Sequence, residues 1–142
     1  MHNNLSASLE DYLEIICNLL QTSKSVKAVE IAKKLSISRA SVSEALTKLA
    51  EKKLIIYEGH KGISITDEGL KAAKNVIKKH KTFTAFFEET LGMEKSEAEE
   101  NACKIEHVIS EKLFKRIQKF QKYCNQNKDF TDKFKKEYLT DK

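Results

Sequence analysis

Several side chains of this 142-residue chain have the chemistry of metal ligands and recur at helical spacing. Asp11 and Glu14 are three residues apart, so a helix would place both carboxylates on one side. Cys103, Glu106 and His107 repeat this arrangement with a thiol, a carboxylate and an imidazole. Since no single helix can surround an ion, a divalent metal would need such segments to converge.

A further possible ligand, His80, stands alone in a segment of helical periodicity. Each of these residues also has an ordinary explanation. Acids in a first turn favour the helix dipole, Cys103 could fill a core, and a lone histidine is most often without special function. The spacing C-x-x-E-H is not a standard zinc pattern, and neither CxxC nor HExxH occurs. The residues alone therefore leave a metal site and a structural role both open.

The first half of the chain indicates a second chemistry, nucleic-acid recognition. Apolar residues at helical spacing predict short helices over 28–35 and from Ser38 to about residue 49, joined by a tight link at 36–38. Two β-prone runs, 54–57 and 63–66, flank the sequence EGHKG, whose two glycines can turn the chain. A helix-turn-helix followed by a hairpin wing is far more specific than either element alone.

The second helix of this motif would bury one face and present the other to the major groove of DNA. Arginine can pair with guanine or phosphate, hydroxyl groups can contact phosphates and base edges, and a carboxylate can accept from cytosine. A lysine at the tip of the wing could reach the backbone. For each residue the alternative is an ordinary solvated helix face. The predicted DNA-contacting residues are Ser38, Arg39, Ser41, Ser43, Glu44, Thr47, Lys48 and Lys61.

The remaining segments read as helices. Ser8 is the expected cap of a first helix, and a long helix is expected over 67–91, ended by Gly92. A capping-box pattern over 96–99 predicts another helix, and Ser110 is the expected cap of a last one. The polar tail after residue 125 is expected to fray.

These elements predict a mainly α protein in two parts. Residues 1–70 form a winged helix-turn-helix with a two-stranded wing, and residues 71–142 form an all-helical domain. The absence of proline and the presence of only four glycines agree with a helical chain.

Charge and cysteine content narrow the functional class. The net charge is +5, but residues 1–70 hold nine basic and nine acidic residues, so the surplus lies in the second half. Three widely spaced cysteines argue against a disulfide framework. No apolar run approaches the roughly 18 residues of a membrane span, and the start lacks the blocks of a signal peptide. A cytoplasmic protein with no membrane partner is expected.

The segments SLEDYLEIICNL, IAKKLSISRASVSEALTKLAEKKLI, KKHK and ACKIEHVISEKL occur in this order, with the wing after the second. In this the chain resembles the diphtheria toxin repressor family, particularly its short manganese transport regulator branch, over roughly residues 5–120. The resemblance implies metal ligands at Asp11, Glu14, His80, Cys103, Glu106 and His107.

The resemblance leaves the metal open between Mn²⁺ and Fe²⁺. The position of Cys103 is usually glutamate in the manganese branch and cysteine in the iron-responsive branch, where the position of Asp11 is methionine. Thr84 and Glu99 stand where the iron branch has the glutamate and histidine of an ancillary site, so of that site only His80 is expected. The SH3-like third domain of longer members is not expected in 142 residues.

The implied function is a metal-activated transcriptional regulator, most simply a repressor of metal-homeostasis genes, that binds double-stranded operator DNA as a homodimer. The alternatives are a winged-helix regulator that answers to a small molecule or to cysteine oxidation, and a mononuclear hydrolase, for which no nucleophile–base pair is present. The family dimerises through its C-terminal helices. The apolar candidates for that interface, which suit a monomer core equally well, are Phe83, Phe86, Phe87, Leu91, Ile109 and Leu113.

Overall fold

The computed structural model describes residues 5–140, which are mainly helical with one two-stranded sheet. The chain divides into two compact units between Ile77 and Lys78. Both this division and the domain boundary predicted after residue 70 fall within the same helix. The predicted boundary stays a prediction. The elements are α1 (Ala7–Leu20), α2 (Ala28–Leu35), α3 (Arg39–Glu51), β1 (Ile55–Tyr57), β2 (Ile63–Ile65), α4 (Asp67–Ala85), α5 (Lys95–Ile105), α6 (Glu111–Gln126) and α7 (Lys128–Tyr138).

The first unit has the predicted helix-turn-helix. Helix α2 ends at Ser36, which adopts a left-handed conformation with φ +55°, and α3 begins after the cap Ser38. The Oγ of Ser38 accepts a hydrogen bond from the backbone N–H of Ser41 at 3.2 Å. This cap satisfies a donor that the first turn of a helix leaves without an intrahelical partner.

The core of the first unit consists of the apolar faces of α1, α2 and α3, the wing and the start of α4. Leu13, Ile16, Val42, Leu46 and Leu49 are fully buried in it. Helix α1 starts after Ser6, whose Oγ accepts from the N–H of Leu9 at 3.3 Å, so the predicted cap at Ser8 is wrong by two residues. Both positions are serine, and only the extended backbone at the first of them makes it the cap.

The wing is an antiparallel hairpin in which Ile55 pairs with Ile65 and Tyr57 with Ile63. A short 3₁₀ turn over Gly59–Lys61 joins the strands. Gly62 has φ +88°, and a Cβ there would lie 2.9 Å from the carbonyl oxygen of Val26. The hairpin therefore depends on glycine at this position, as the turn signal predicted.

The second unit is all-helical, and its core centres on Phe83, Ala102 and Phe114, with Ile109 packed against it. Phe83, whose sequence position suited either a core or an interface, is 1% exposed and belongs to the core. Helix α4 continues as a π-helical turn over Phe86–Thr90 and ends at Gly92, which has φ +66°.

Two predictions about this unit are wrong. Helix α5 begins after Glu94, which makes no side-chain cap, rather than after a capping box at 96–99. The tail after residue 125 forms α7 instead of fraying. Its aromatic rings contact one another and α6, with the Tyr123 and Phe130 centroids 6.1 Å apart, and the Lys135 Nζ donates to the Glu89 carbonyl at 3.0 Å. In the described part of the chain, no helix is both long and apolar enough to cross a membrane.

Candidate metal centre and nucleic-acid interface

Glu106 is the centre of a cluster of metal-ligating side chains in the second unit. It caps the C-terminus of α5 and is 1% exposed. One carboxylate oxygen lies 2.8 Å from Nδ1 of His80, and the other lies 3.4 Å from Nε2 of His107. A buried carboxylate is costly unless it is paired or bound to a metal, and two imidazoles provide such an environment.

Cys103 completes this cluster from the previous turn of α5. Its Sγ, a ring nitrogen of His80 and a carboxylate oxygen of Glu106 lie within 4.8 Å of one another. Donors bound at about 2.0–2.3 Å from one ion are at most about 4.6 Å apart, so these three could close on a common ion with a small movement. Thiolate, imidazole and carboxylate are all ligands of first-row divalent metals, so the residues fit such an ion.

Local structure explains why these side chains converge. Helix α5 ends at Ile105, but Glu106 keeps helical angles, with φ −58° and ψ −29°. Cys103 and Glu106 therefore lie on one side of the helix, as their i, i+3 spacing predicts, and His107 follows in the turn after it. The end of a helix carries partial negative charge, which favours a cation.

The predicted ligands of α1 belong to the first unit. Asp11 and Glu14 are each partly exposed and lie in the first two turns of the helix. Of the ancillary-site positions in the second unit, Glu99 is exposed, whereas Thr84 has a buried Oγ1 without a hydrogen-bond partner among the described residues.

An ion pair beside the metal-ligand cluster was not predicted. Lys79, which precedes His80 on α4, is 9% exposed, and its Nζ lies 2.9 Å from a carboxylate oxygen of Glu111 at the start of α6. This pair fixes α6 against the part of α4 that carries His80. The only feature of the sequence that pointed to this ion pair was a lysine at a core-facing position of the helical repeat.

The predicted DNA-contacting residues share one property, exposure to solvent on α3, its cap and the wing. Several already contact each other. The Thr47 hydroxyl donates to the Ser43 carbonyl at 2.9 Å, and the Ser38 and Ser41 hydroxyl oxygens are 2.9 Å apart. Lys61 contacts a residue outside this set, since its Nζ lies 3.3 Å from Glu58. The exposed residues are Ser38, Arg39, Ser41, Ser43, Glu44, Thr47, Lys48 and Lys61.

The one acid among these predicted residues, Glu44, forms an ion pair with a neighbour. The Lys48 Nζ donates to the Glu44 carboxylate at 2.7 Å. This hydrogen bond lowers the pKa of Glu44 and raises the pKa of Lys48, so both stay charged at neutral pH. Tyr12 lies nearby, and burial, with a smaller contribution from the Glu44 charge, raises the pKa of its phenol.

Two family models match nearly all of the chain. The model described as the N-terminal DNA-binding domain of iron-dependent repressors matches residues 4–63. The one described as their metal-binding and dimerisation domain matches residues 66–134. The chain belongs to the diphtheria toxin, or iron-dependent, repressor family. This confirms the family predicted from the sequence, and the family's members are transcriptional regulators rather than enzymes.

Individual relatives agree with this assignment. An uncharacterized HTH-type transcriptional regulator of Methanocaldococcus jannaschii is 37% identical over 117 residues, covering 82% of this chain and 94% of that protein. The structure of the manganese regulator SloR matches with a TM-score of 0.73 and 31% identity over 81% of this chain. A manganese-dependent transcriptional repressor in complex with manganese matches with a TM-score of 0.70 and 28% identity over 77% of it. This chain spans about half of those two solved chains, 54% and 50% respectively.

Proposed function

We propose that this protein is a transcriptional repressor that binds operator DNA when a divalent metal, Mn²⁺ or Fe²⁺, is bound. The observation that carries the proposal is the buried Glu106 carboxylate between His80 and His107, with Cys103 beside it. These side chains lie within the segment that matches the metal-binding and dimerisation domain. The DNA-binding residues proposed for the other segment are those of α3, its cap and the wing.

The proposed ligand set is the one that the family resemblance implies. Asp11 and Glu14 are proposed to join the four residues of the second unit in holding the metal. A bound divalent ion would supply two positive charges to a set that otherwise concentrates carboxylates and a thiol. The proposed ligands are Asp11, Glu14, His80, Cys103, Glu106 and His107.

The donor chemistry bears on the choice of metal. Carboxylate oxygens suit Mn²⁺, while a thiolate shifts preference towards Fe²⁺ and softer ions. The similarity to a manganese-dependent repressor and to the manganese regulator SloR favours Mn²⁺. Cys103 favours Fe²⁺, and both ions belong in the proposal.

The protein is proposed to act as a homodimer in the cytoplasm, where its operator DNA would lie. A homodimer follows the dimerisation domain that the family model describes. Two recognition helices related by a two-fold axis would match half-sites one helical turn of DNA apart, or a multiple of that distance. Leu113, which is 50% exposed on α6, is an apolar residue available for the interface.

The test begins with selection of duplexes from a random-sequence library by the Mn²⁺-loaded protein. Fluorescence anisotropy at fixed salt then compares binding of the selected duplex with Mn²⁺, with Fe²⁺ under anaerobic conditions and with chelator. We expect metal to tighten binding at least tenfold. Equal affinity with metal and chelator would refute the proposal. A response only to a thiol oxidant would favour the cysteine-oxidation alternative.

A further inference from the structure

Helix α6 carries a continuous basic face that the metal-ligand cluster does not use. At 100° per residue its five cations fall within an arc of about 120°. All five are exposed. This basic face consists of Lys112, Lys115, Arg116, Lys119 and Lys122.

The charge of this face is not balanced by acids on the same helix. The only acidic residue of α6 is Glu111, and its carboxylate lies 2.9 Å from Lys79 on α4. Helix α7 differs, because there Lys133 lies 3.9 Å from Glu137 and Lys135 lies 3.7 Å from Asp132. Helix α6 therefore carries a net charge of +4, with all five of its cations on one face.

We propose that the basic face of α6 binds the phosphate backbone of double-stranded DNA without regard to sequence. From Lys112 to Lys122 the helix rises about 15 Å, which is the length of about four phosphates at 3.4 Å per strand. A row of lysine and arginine side chains on this scale matches a polyanion of regular charge spacing. This surface would add non-specific affinity to the sequence-specific contacts of the proposed recognition helix.

Charge and packing argue against a second copy of this chain as the occupant. A two-fold interface centred on this face would bring five cations against five, which is repulsive. The exposed apolar residues Leu113 and Phe120 lie on an adjacent arc of α6, so an apolar contact need not cover the basic face.

The test compares two triple variants with the same change in net charge. One, K112Q/K115Q/K119Q, removes three charges from the basic face, and the other, K128Q/K133Q/K136Q, removes three from α7. Binding of the Mn²⁺-loaded protein to a duplex that lacks the selected operator is measured by anisotropy over a range of salt. Circular dichroism melts check that both variants fold like the wild type.

Each phosphate contact contributes about 0.9 to the slope of log affinity against log salt. For the α6 variant we therefore expect this slope to be shallower by about 2.7 and the affinity for the duplex to be at least tenfold lower near 0.1 M salt. The α7 variant should change the slope by less than one. The double variant R116Q/K119Q provides a second measurement, with an expected change of about 1.8.

Equal effects of the two triple variants would mean that only net charge matters and would overturn the proposal. So would an unchanged slope in the α6 variant. Cosedimentation with phosphatidylserine vesicles tests a membrane surface instead, and vesicle binding that needs the α6 lysines while DNA binding does not would also overturn it. Because the duplex lacks the operator, none of these outcomes depends on metal activation of specific binding.

Discussion

At the scale of single residues, Glu106 is the carboxylate on which the proposed metal site depends most. Replacing it with glutamine keeps the shape of the side chain but removes its charge. We expect Glu106→Gln to weaken Mn²⁺ binding at least tenfold, measured by isothermal titration calorimetry, because a neutral amide binds a cation poorly. The control is Glu100→Gln, which removes the same charge from an exposed position on α5 paired with Lys104.

Calorimetry on both variants separates a lost ligand from a lost fold. The metal-free Glu106→Gln protein should unfold close to the temperature of the metal-free wild type, because glutamine keeps the shape of the side chain and can still hydrogen-bond to His80. If Glu106→Gln and Glu100→Gln bound Mn²⁺ equally well, Glu106 would not be a ligand.

Glu44 makes a separate prediction, about DNA. Its carboxylate holds the ammonium group of Lys48 at 2.7 Å on the exposed side of α3. Glu44→Gln removes a negative charge from the proposed DNA-binding face and releases Lys48, so binding to non-operator duplex should tighten several-fold and its salt slope should steepen by about one. Anisotropy at several salt concentrations measures both. Glu68→Gln, which removes one charge from an exposed position in the first turn of α4, is the matched control, and an identical response would show that the position of the removed charge is irrelevant.

At the scale of elements, the first turn of α4 depends on a glycine. A Cβ on Gly69 would lie 1.9 Å from the carbonyl oxygen of Leu54, far inside van der Waals contact. Thr66 links the two segments that meet here. Its hydroxyl donates to the Leu54 carbonyl at 3.0 Å and accepts from the Gly69 N–H at 3.1 Å. Helix α4 can therefore approach the start of the wing only with glycine at this position.

Gly69→Ala should destabilise the protein by about 3 kcal/mol or more, because overpacking of a backbone contact forces the elements apart. Urea unfolding followed by circular dichroism measures the loss. Gly59→Ala is the comparison, since no atom lies within 4 Å of a Cβ there, although its φ of +48° brings some strain. A smaller loss at position 69 than at position 59 would contradict this account of the contact.

The same elements show what sequence reasoning can reach. Periodicity predicted α1 to α3, the wing and the long α4, because each buries an amphipathic face within its own segment. It misplaced the caps of α1 and α5, because several neighbouring residues are suitable caps and only the backbone conformation determines where the helix begins. It missed α7, whose stability comes from contacts with α6 and the π-helical turn, and it gave no reason to single out Gly69.

The metal-ligand cluster was likewise predictable only in part. The spacing of Cys103 and Glu106 was predictable because a helix fixes such neighbours locally. The 2.8 Å approach of His80 was not, since it depends on how α4 packs against α5. The residues alone left His80 open between a ligand and an ordinary histidine, and only the family resemblance favoured the ligand.

At the scale of the whole molecule, the proposed function requires that metal and DNA binding be coupled. A metal that tightens operator binding by some factor must itself be bound more tightly, by the same factor, when the operator is present. Allosteric coupling factors are typically about 5 to 150. The residue expected to transmit the coupling is Asp11, one of the two proposed metal ligands on α1.

The prediction is therefore a set of four affinities, for Mn²⁺ with and without operator and for operator with and without Mn²⁺. We expect a coupling factor of about ten or more in the wild type, by calorimetry for the metal and anisotropy for the duplex. Asp11→Asn should reduce this coupling factor to near one, because the DNA-binding unit would then lack the carboxylate through which bound metal is proposed to act on it. Glu10→Gln removes the same charge from the adjacent position of α1 and should leave the coupling intact. Undiminished coupling in Asp11→Asn would mean that the metal acts on DNA binding through residues of the second unit alone.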